Sequence, residues 1–328
     1  MPAETIPSYQ FMSFNVTILK LMGLWYEDHR GENDKLRYLK IFIVFLSLSP
    51  TLLPLFYEFI AVLIVYRIQV ILAEVCVLGA IYMLICFVRN RSEIKNLVDS
   101  IENFNAYSDL DLKSIDRKAT FFSKIIMAYS LSGMVIYTLS PLLSKSTCET
   151  TKSQYRIDHG VPCGIIVPIR IPPNSTNTLW IIDEVINGIV VVLVVVNMTM
   201  MVCGLLEHAI HQLKQVRSCI LAISQADADE IEDITGFAVE FHIKVIDFIE
   251  KLNQYFGSQL VMHFTLTSVV ISLLGFEILM VDDNKESVMY ALHLIGWLIM
   301  LYTICFYGQL LIDEVSDAAP PRWGPNLN

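Results

Sequence analysis

Six blocks of about twenty consecutive apolar residues run through this chain, each long enough to cross a bilayer as a helix. Hydrocarbon offers the backbone no hydrogen-bond partners, so a crossing segment must be a helix or part of a closed β-barrel. The blocks are continuously apolar rather than alternating, which excludes the barrel. The expected fold class is therefore all-α, a polytopic membrane helical bundle. Composition agrees: 54% of the 328 residues are hydrophobic and 17% charged, against roughly 45–50% and about 25% in an ordinary soluble protein. The net charge of −10 opposes binding to nucleic-acid phosphates. Seven scattered cysteines do not make a disulfide framework.

The spans are expected at about 41–57, 68–88, 121–143, 185–206, 260–281 and 288–312, with 313–328 as a divergent tail, in one membrane domain covering 1–328. Pro50 and Pro54 fall in the first block, which they kink without breaking. Residues 1–38 hold no secretory signal, so the first block is expected to act as its own insertion signal. With the N-terminus in the cytoplasm, 17 Lys and Arg residues lie inside and 6 outside. That asymmetry favours a cytoplasmic N-terminus. Asn174-Ser175-Thr176 is then a glycosylation sequon in an outer loop. Cys148 and Cys163 share that loop, either as a disulfide or as two free thiols. Two further sequons, at Asn15 and Asn90, fall inside and are expected to stay bare.

Phe14, Ile18, Leu21, Met22 and Trp25 form one apolar helical face before the first span. That face suits a helix lying in the inner membrane interface or one packed on the bundle itself. Ile94, Leu97, Val98, Ile101 and Phe104 make a second face after the second span. Residues 207–259 are too long for a passive turn. They read as a helix running out of the fourth span, an acidic patch from Asp227 to Asp233, and a helix running into the fifth. Together these extensions build a cytoplasmic platform. Glu207, His208 and His211 lack the H-E-x-x-H spacing and a third metal ligand. No nucleophile elbow, Walker or dinucleotide motif is present, so no enzyme and no cofactor are expected.

Residues 237–279 resemble the long helix and fifth span of insect odorant receptors, through His242, Phe248, Leu252, Phe256 and Leu274-Gly275-Phe276. Residues 306–319 are similar to the family's sixth-span pattern, through Tyr307, Gly308, Leu311, Val315, Ser316 and Ala318, and residues 19–25 also fit. The resemblance implies a plasma-membrane receptor subunit in olfactory neurons that binds small volatile hydrophobic ligands. It also implies a hetero-oligomer with an odorant co-receptor subunit, which forms a ligand-gated cation channel. Lipid is the other expected partner. The resemblance is expected to stop near Ala319, before the family's seventh, pore-lining span, as a shortened or spliced product or an incomplete gene reading would. A non-conducting relative that binds partner subunits, or a gustatory receptor, are the alternatives. A G-protein-coupled receptor fits less well, because D-R-Y and N-P-x-x-Y are missing and the topology is inverted.

The resemblance further implies a ligand pocket in the outer half of the membrane, among the second to sixth spans. The candidates on the second span are Val70 and Glu74, the latter a charge that costs about 2.5–3.5 kcal/mol at the bilayer centre unless it faces a polar partner. The third span offers Gly133, Met134 and Tyr137, and the fourth Trp180, Glu184 and Asn187. The sixth offers Met289, Tyr290 and His293. Apolar walls with a few orienting polar groups suit a small volatile molecule.

Overall fold

The computed structural model describes residues 11–25, 34–61, 64–107, 111–143, 177–223, 230–281 and 284–318. Cys148, Cys163 and Asn174 lie outside the described residues. Among those residues the regular elements are all helical: α1 (Ser13–Leu21), α2 (Asp34–Ala61), α3 (Ile64–Arg89), α4 (Arg91–Asp99), a 3-10 turn (Ser100–Ala106), α5 (Leu112–Leu143), α6 (Asn177–Ile223), α7 (Ile231–Met280) and α8 (Asn284–Ala318). Five of these helices, α3 and α5 to α8, contain described stretches long and apolar enough to cross a membrane. α2 runs unbroken through Pro50 and Pro54 at the place expected for the first span.

α6 forms the centre of the bundle and packs against α2, α3, α5, α7 and α8. Its apolar residues occupy its whole circumference rather than one stripe, the pattern of a helix buried on all sides. Every residue from Val194 to Ile210 is buried. With 47 and 50 residues, α6 and α7 rise about 70 and 75 Å at 1.5 Å per residue. A hydrocarbon core of about 30 Å uses less than half of either length. The remainder carries the platform.

The platform's core is aromatic. α4 and the 3-10 turn bury Ile94, Leu97, Val98, Ile101 and Phe104, the face their spacing predicts. Phe104 meets Phe248 edge-on at 5.7 Å, and Tyr107 stacks on Phe241 at 5.6 Å. The Tyr107 hydroxyl donates to the Glu240 carboxylate at 2.6 Å. That hydrogen bond raises the Tyr107 phenol above its ordinary pKa. His208 lies inside this core, with Phe104 at 5.3 Å and Phe248 at 5.4 Å. Glu207 instead pairs with Lys118 at 3.0 Å and accepts from Tyr307 at 3.2 Å, tying α6 to α5 and α8.

α1 packs on α5 and α6, so of the two expected placements the bundle takes it. Its inward face is turned from the one the apolar spacing indicates. Val16, Leu19 and Asn15 are fully buried, Phe14 and Ile18 only partly, and Leu21 is 72% exposed. Asn15 fixes this rotation: its Nδ2 donates to Asn197 Oδ1 at 3.0 Å, and Asn197 Nδ2 donates to the Asn15 carbonyl at 3.2 Å. Gly23 then ends α1 with φ +75°, a conformation that strains any other residue. The turn sends Leu24 and Trp25 back into the core.

Candidate functional site

A cavity of about 460 Å³ opens among α3, α5, α6 and α8, in the half of the bundle away from α4. Such a volume falls within the range of small-molecule sites. α6 supplies an aliphatic wall of Val191, Val192, Val195 and Val196. α3 adds Leu72, Ala73, Cys76 and Val77. α5 and α8 bring the aromatic and polar groups.

Eight of the eleven expected ligand residues border this space: Gly133, Met134 and Tyr137 on α5, Glu184 and Asn187 on α6, and Met289, Tyr290 and His293 on α8. Glu74 does not. A helix turns about 100° per residue, so Leu72, Ala73, Cys76 and Val77 fill one arc of α3 and Glu74 falls outside it. Val70 lies on α3 and Trp180 on α6, with their side chains outside the described set.

Three glycines, one on each of three helices, shape the cavity. A Cβ at Gly133 would meet nothing within 4 Å. One at Gly188 would lie 2.2 Å from Met134 Cε, and one at Gly296 would lie 2.9 Å from Tyr129 Cε1. The walls are pinned by polar contacts. Tyr129 donates to the Leu292 carbonyl at 2.5 Å, joining α5 to α8. Asn187 Nδ2 donates to the Ser47 carbonyl at 3.2 Å, joining α6 to α2. Tyr137 Oη lies 2.8 Å from His293 Nδ1, and the Trp297 indole N–H donates to His293 Nε2 at 3.0 Å.

Trp297, Tyr129 and the four valines are cavity residues that the sequence reading missed. Trp297 follows His293 by one helical turn, and that i, i+4 spacing is a signal for it. The valines carry no such signal, because α6 is apolar on every side.

A multi-pass membrane bundle with a mostly apolar cavity has the architecture of a small-molecule site. The profile of the family described as 7tm Odorant receptor matches residues 61–319. The chain belongs to this odorant receptor family. It is 19% identical to Odorant receptor 85c of Drosophila melanogaster over 242 residues, 72% of this chain and 62% of that relative. Odorant receptor 67c of the same fly is 26% identical over 100 residues, 29% of this chain and 24% of the relative. The chain thus spans less than two thirds of the curated relatives' length. The fold is similar to that of the insect olfactory receptor OR5 from Machilis hrabei, with a TM-score of 0.76, 15% identity, and coverage of 95% of this chain and 82% of that one. The same receptor in complex with eugenol gives a TM-score of 0.77 at 15% identity, covering 94% and 81%.

Proposed function

We propose that this protein is an odorant receptor subunit whose cavity binds small, volatile, largely hydrophobic molecules. The observation that carries the proposal is the cavity itself: an aliphatic wall on α6 faced by a few polar groups on α5 and α8. Family membership supports the reading, as does the eugenol complex of the Machilis hrabei receptor. The proposal includes six spans at the positions given above, a plasma-membrane location and a cytoplasmic N-terminus. The cavity then lies toward the outer face. It also includes assembly with a co-receptor subunit into a ligand-gated cation channel, with the platform halves of α6 and α7 available to the partner. Gly133, Met134, Tyr137, Glu184, Asn187, Met289, Tyr290 and His293 form the ligand site. Glu74 is left out of it.

Gly133→Leu tests this reading. Nothing lies within 4 Å of the new Cβ, and Gly133 borders the cavity, so the added side chain has the cavity to extend into. Replacing a mid-helix glycine also favours the helix by up to about 1 kcal/mol. The variant is expected to be as stable as the wild type. In cells that also express the co-receptor, its ligand responses should need at least about tenfold more odorant, because a buried leucine takes up ligand volume. Unchanged sensitivity to every active odorant would refute the site.

A further inference from the structure

We propose that Tyr137 is the hydrogen-bond donor by which the cavity selects ligands carrying an acceptor oxygen, its hydrogen kept free by the Trp297–His293 pair. This deepens the ligand-binding reading above and rests on it. Trp297 sets the direction of the chain. An indole N–H can only donate, and it lies 3.0 Å from His293 Nε2. Nε2 must therefore be bare and accepting. A neutral imidazole with a bare Nε2 carries its hydrogen on Nδ1. Nδ1 lies 2.8 Å from the Tyr137 oxygen, so Nδ1–H donates and the phenol oxygen accepts. The hydroxyl hydrogen of Tyr137 is thereby left over.

No second hydrogen bond takes it up among the described residues. Tyr137 borders the cavity, so the leftover hydrogen is offered to whatever fills it. Two neighbouring hydroxyls are already used. Tyr129 gives its hydrogen to the Leu292 carbonyl and Ser132 to the Tyr129 carbonyl, at 2.5 and 2.7 Å. Asn187 gives one to the Ser47 carbonyl at 3.2 Å. The chain Trp297–His293–Tyr137 links α8 to α5 and holds the donor in place before the ligand arrives, so little ordering is lost on binding. The ligand class that matches is a volatile ketone, aldehyde, ester or ether. A pure hydrocarbon of the same shape leaves the donor buried and unmet.

Two isosteric probes test the proposal: methyl pentyl ketone, and the alkene in which a methylene group replaces its carbonyl oxygen. Their affinities are read from ligand-dependent thermal stabilisation of the purified full chain in detergent. The ketone is expected to bind about 3- to 10-fold more tightly, the net worth of one hydrogen bond. Tyr137→Phe should bring that ratio close to one. Trp297 acts here as a positioning residue. Trp297→Phe frees Nε2 to hold the imidazole hydrogen, so Nδ1 then accepts from Tyr137 and the ligand loses its donor. The ratio should fall in that variant too, and lost packing alone, which weakens both probes together, would not move it. Equal affinities in the wild type, or an unchanged ratio in either variant, would overturn the donor assignment. If Tyr137→Phe does not fold, the wild-type ratio and Trp297→Phe decide the question. If neither probe stabilises the wild-type protein, the cavity reading itself fails, and the donor with it.

Discussion

Asn197→Leu should loosen α1 from the bundle by about 2–3 kcal/mol. The residues Asn15 and Asn197 are both fully buried, and they share two side-chain hydrogen bonds, at 3.0 and 3.2 Å. Leucine nearly matches asparagine in shape, so the cost is polar rather than steric. Asn15 Oδ1 already has no partner. In Asn197→Leu its Nδ2 keeps only the Asn197 carbonyl, at 3.4 Å, and one buried amide is then poorly met at both ends. An unsatisfied buried polar group costs about 1–3 kcal/mol. Asn15→Leu is the milder change, about 1 kcal/mol: it takes the donor from Asn197 Oδ1, but the backbone carbonyl of residue 15 survives to accept from Asn197 and the unmet Asn15 Oδ1 disappears. The double variant removes both amides and should cost no more than Asn15→Leu alone. The cycle therefore predicts a coupling of roughly 2 kcal/mol in favour of the pair. Hydrogen exchange at the α1 amides reads the docking equilibrium, and thermal unfolding in detergent reads the whole chain. Single costs that add to within about 0.5 kcal/mol would show that the amides do not act together. The rotation of α1 would then need another cause.

Two further changes probe how the long helices are joined. Gly79→Ala places a methyl group 2.7 Å from Leu266 Cδ2 and 3.1 Å from its Cδ1, where α3 meets α7. Overpacking of about 1–3 kcal/mol should outweigh the gain in helix propensity, and Leu266→Val should restore part of the lost unfolding midpoint. Lys118→Met removes the ion-pair partner of the buried Glu207. Because Lys118 is well exposed, the loss should be about 1–2 kcal/mol rather than that of a fully buried pair. A second change, Glu207→Gln, should recover most of it in the same unfolding measurement.

The sequence carried most of the architecture because the features that set it are long and repetitive. The apolar blocks place α3, α5, α6, α7 and α8, and the unbroken helical pattern before residue 260 foretells the 50 residues of α7. The five-residue face from Ile94 to Phe104 is buried as its spacing requires. The details that were not legible are questions of helical phase. On α1 the buried face is chosen by an asparagine pair 182 residues apart in sequence, which an apolar pattern cannot show. On α3 the charge of Glu74 draws attention, yet the neighbouring residues, not the charged one, meet the cavity. On α6 a helix buried all round offers no apolar stripe from which to choose the cavity side. α5 and α8 are more legible: Gly133, Tyr137 and His293 stand out from their apolar surroundings, and all three border the cavity.

The cleft of about 460 Å³ leaves part of the inner surface of α3, α5, α6 and α8 without protein neighbours, so what fills it decides how well these walls are packed. Interiors are otherwise close-packed, and here the packing resumes at once below the cavity, where α6 is buried without interruption from Asn197 to Ile210. Glycines on three helices shape the space. At Gly188 and Gly296 the positions of the absent methyl groups lie against the side-chain ends of Met134 and Tyr129, so these two glycines let the α5 side chains pack close. Only at Gly133 is there room to spare. A molecule that fills this room recovers the dispersion contacts the walls lack, and one with an acceptor oxygen also meets the Tyr137 hydrogen. Shape should therefore set which sizes bind, and the Trp297–His293–Tyr137 chain should set which chemistry is preferred among molecules of equal size.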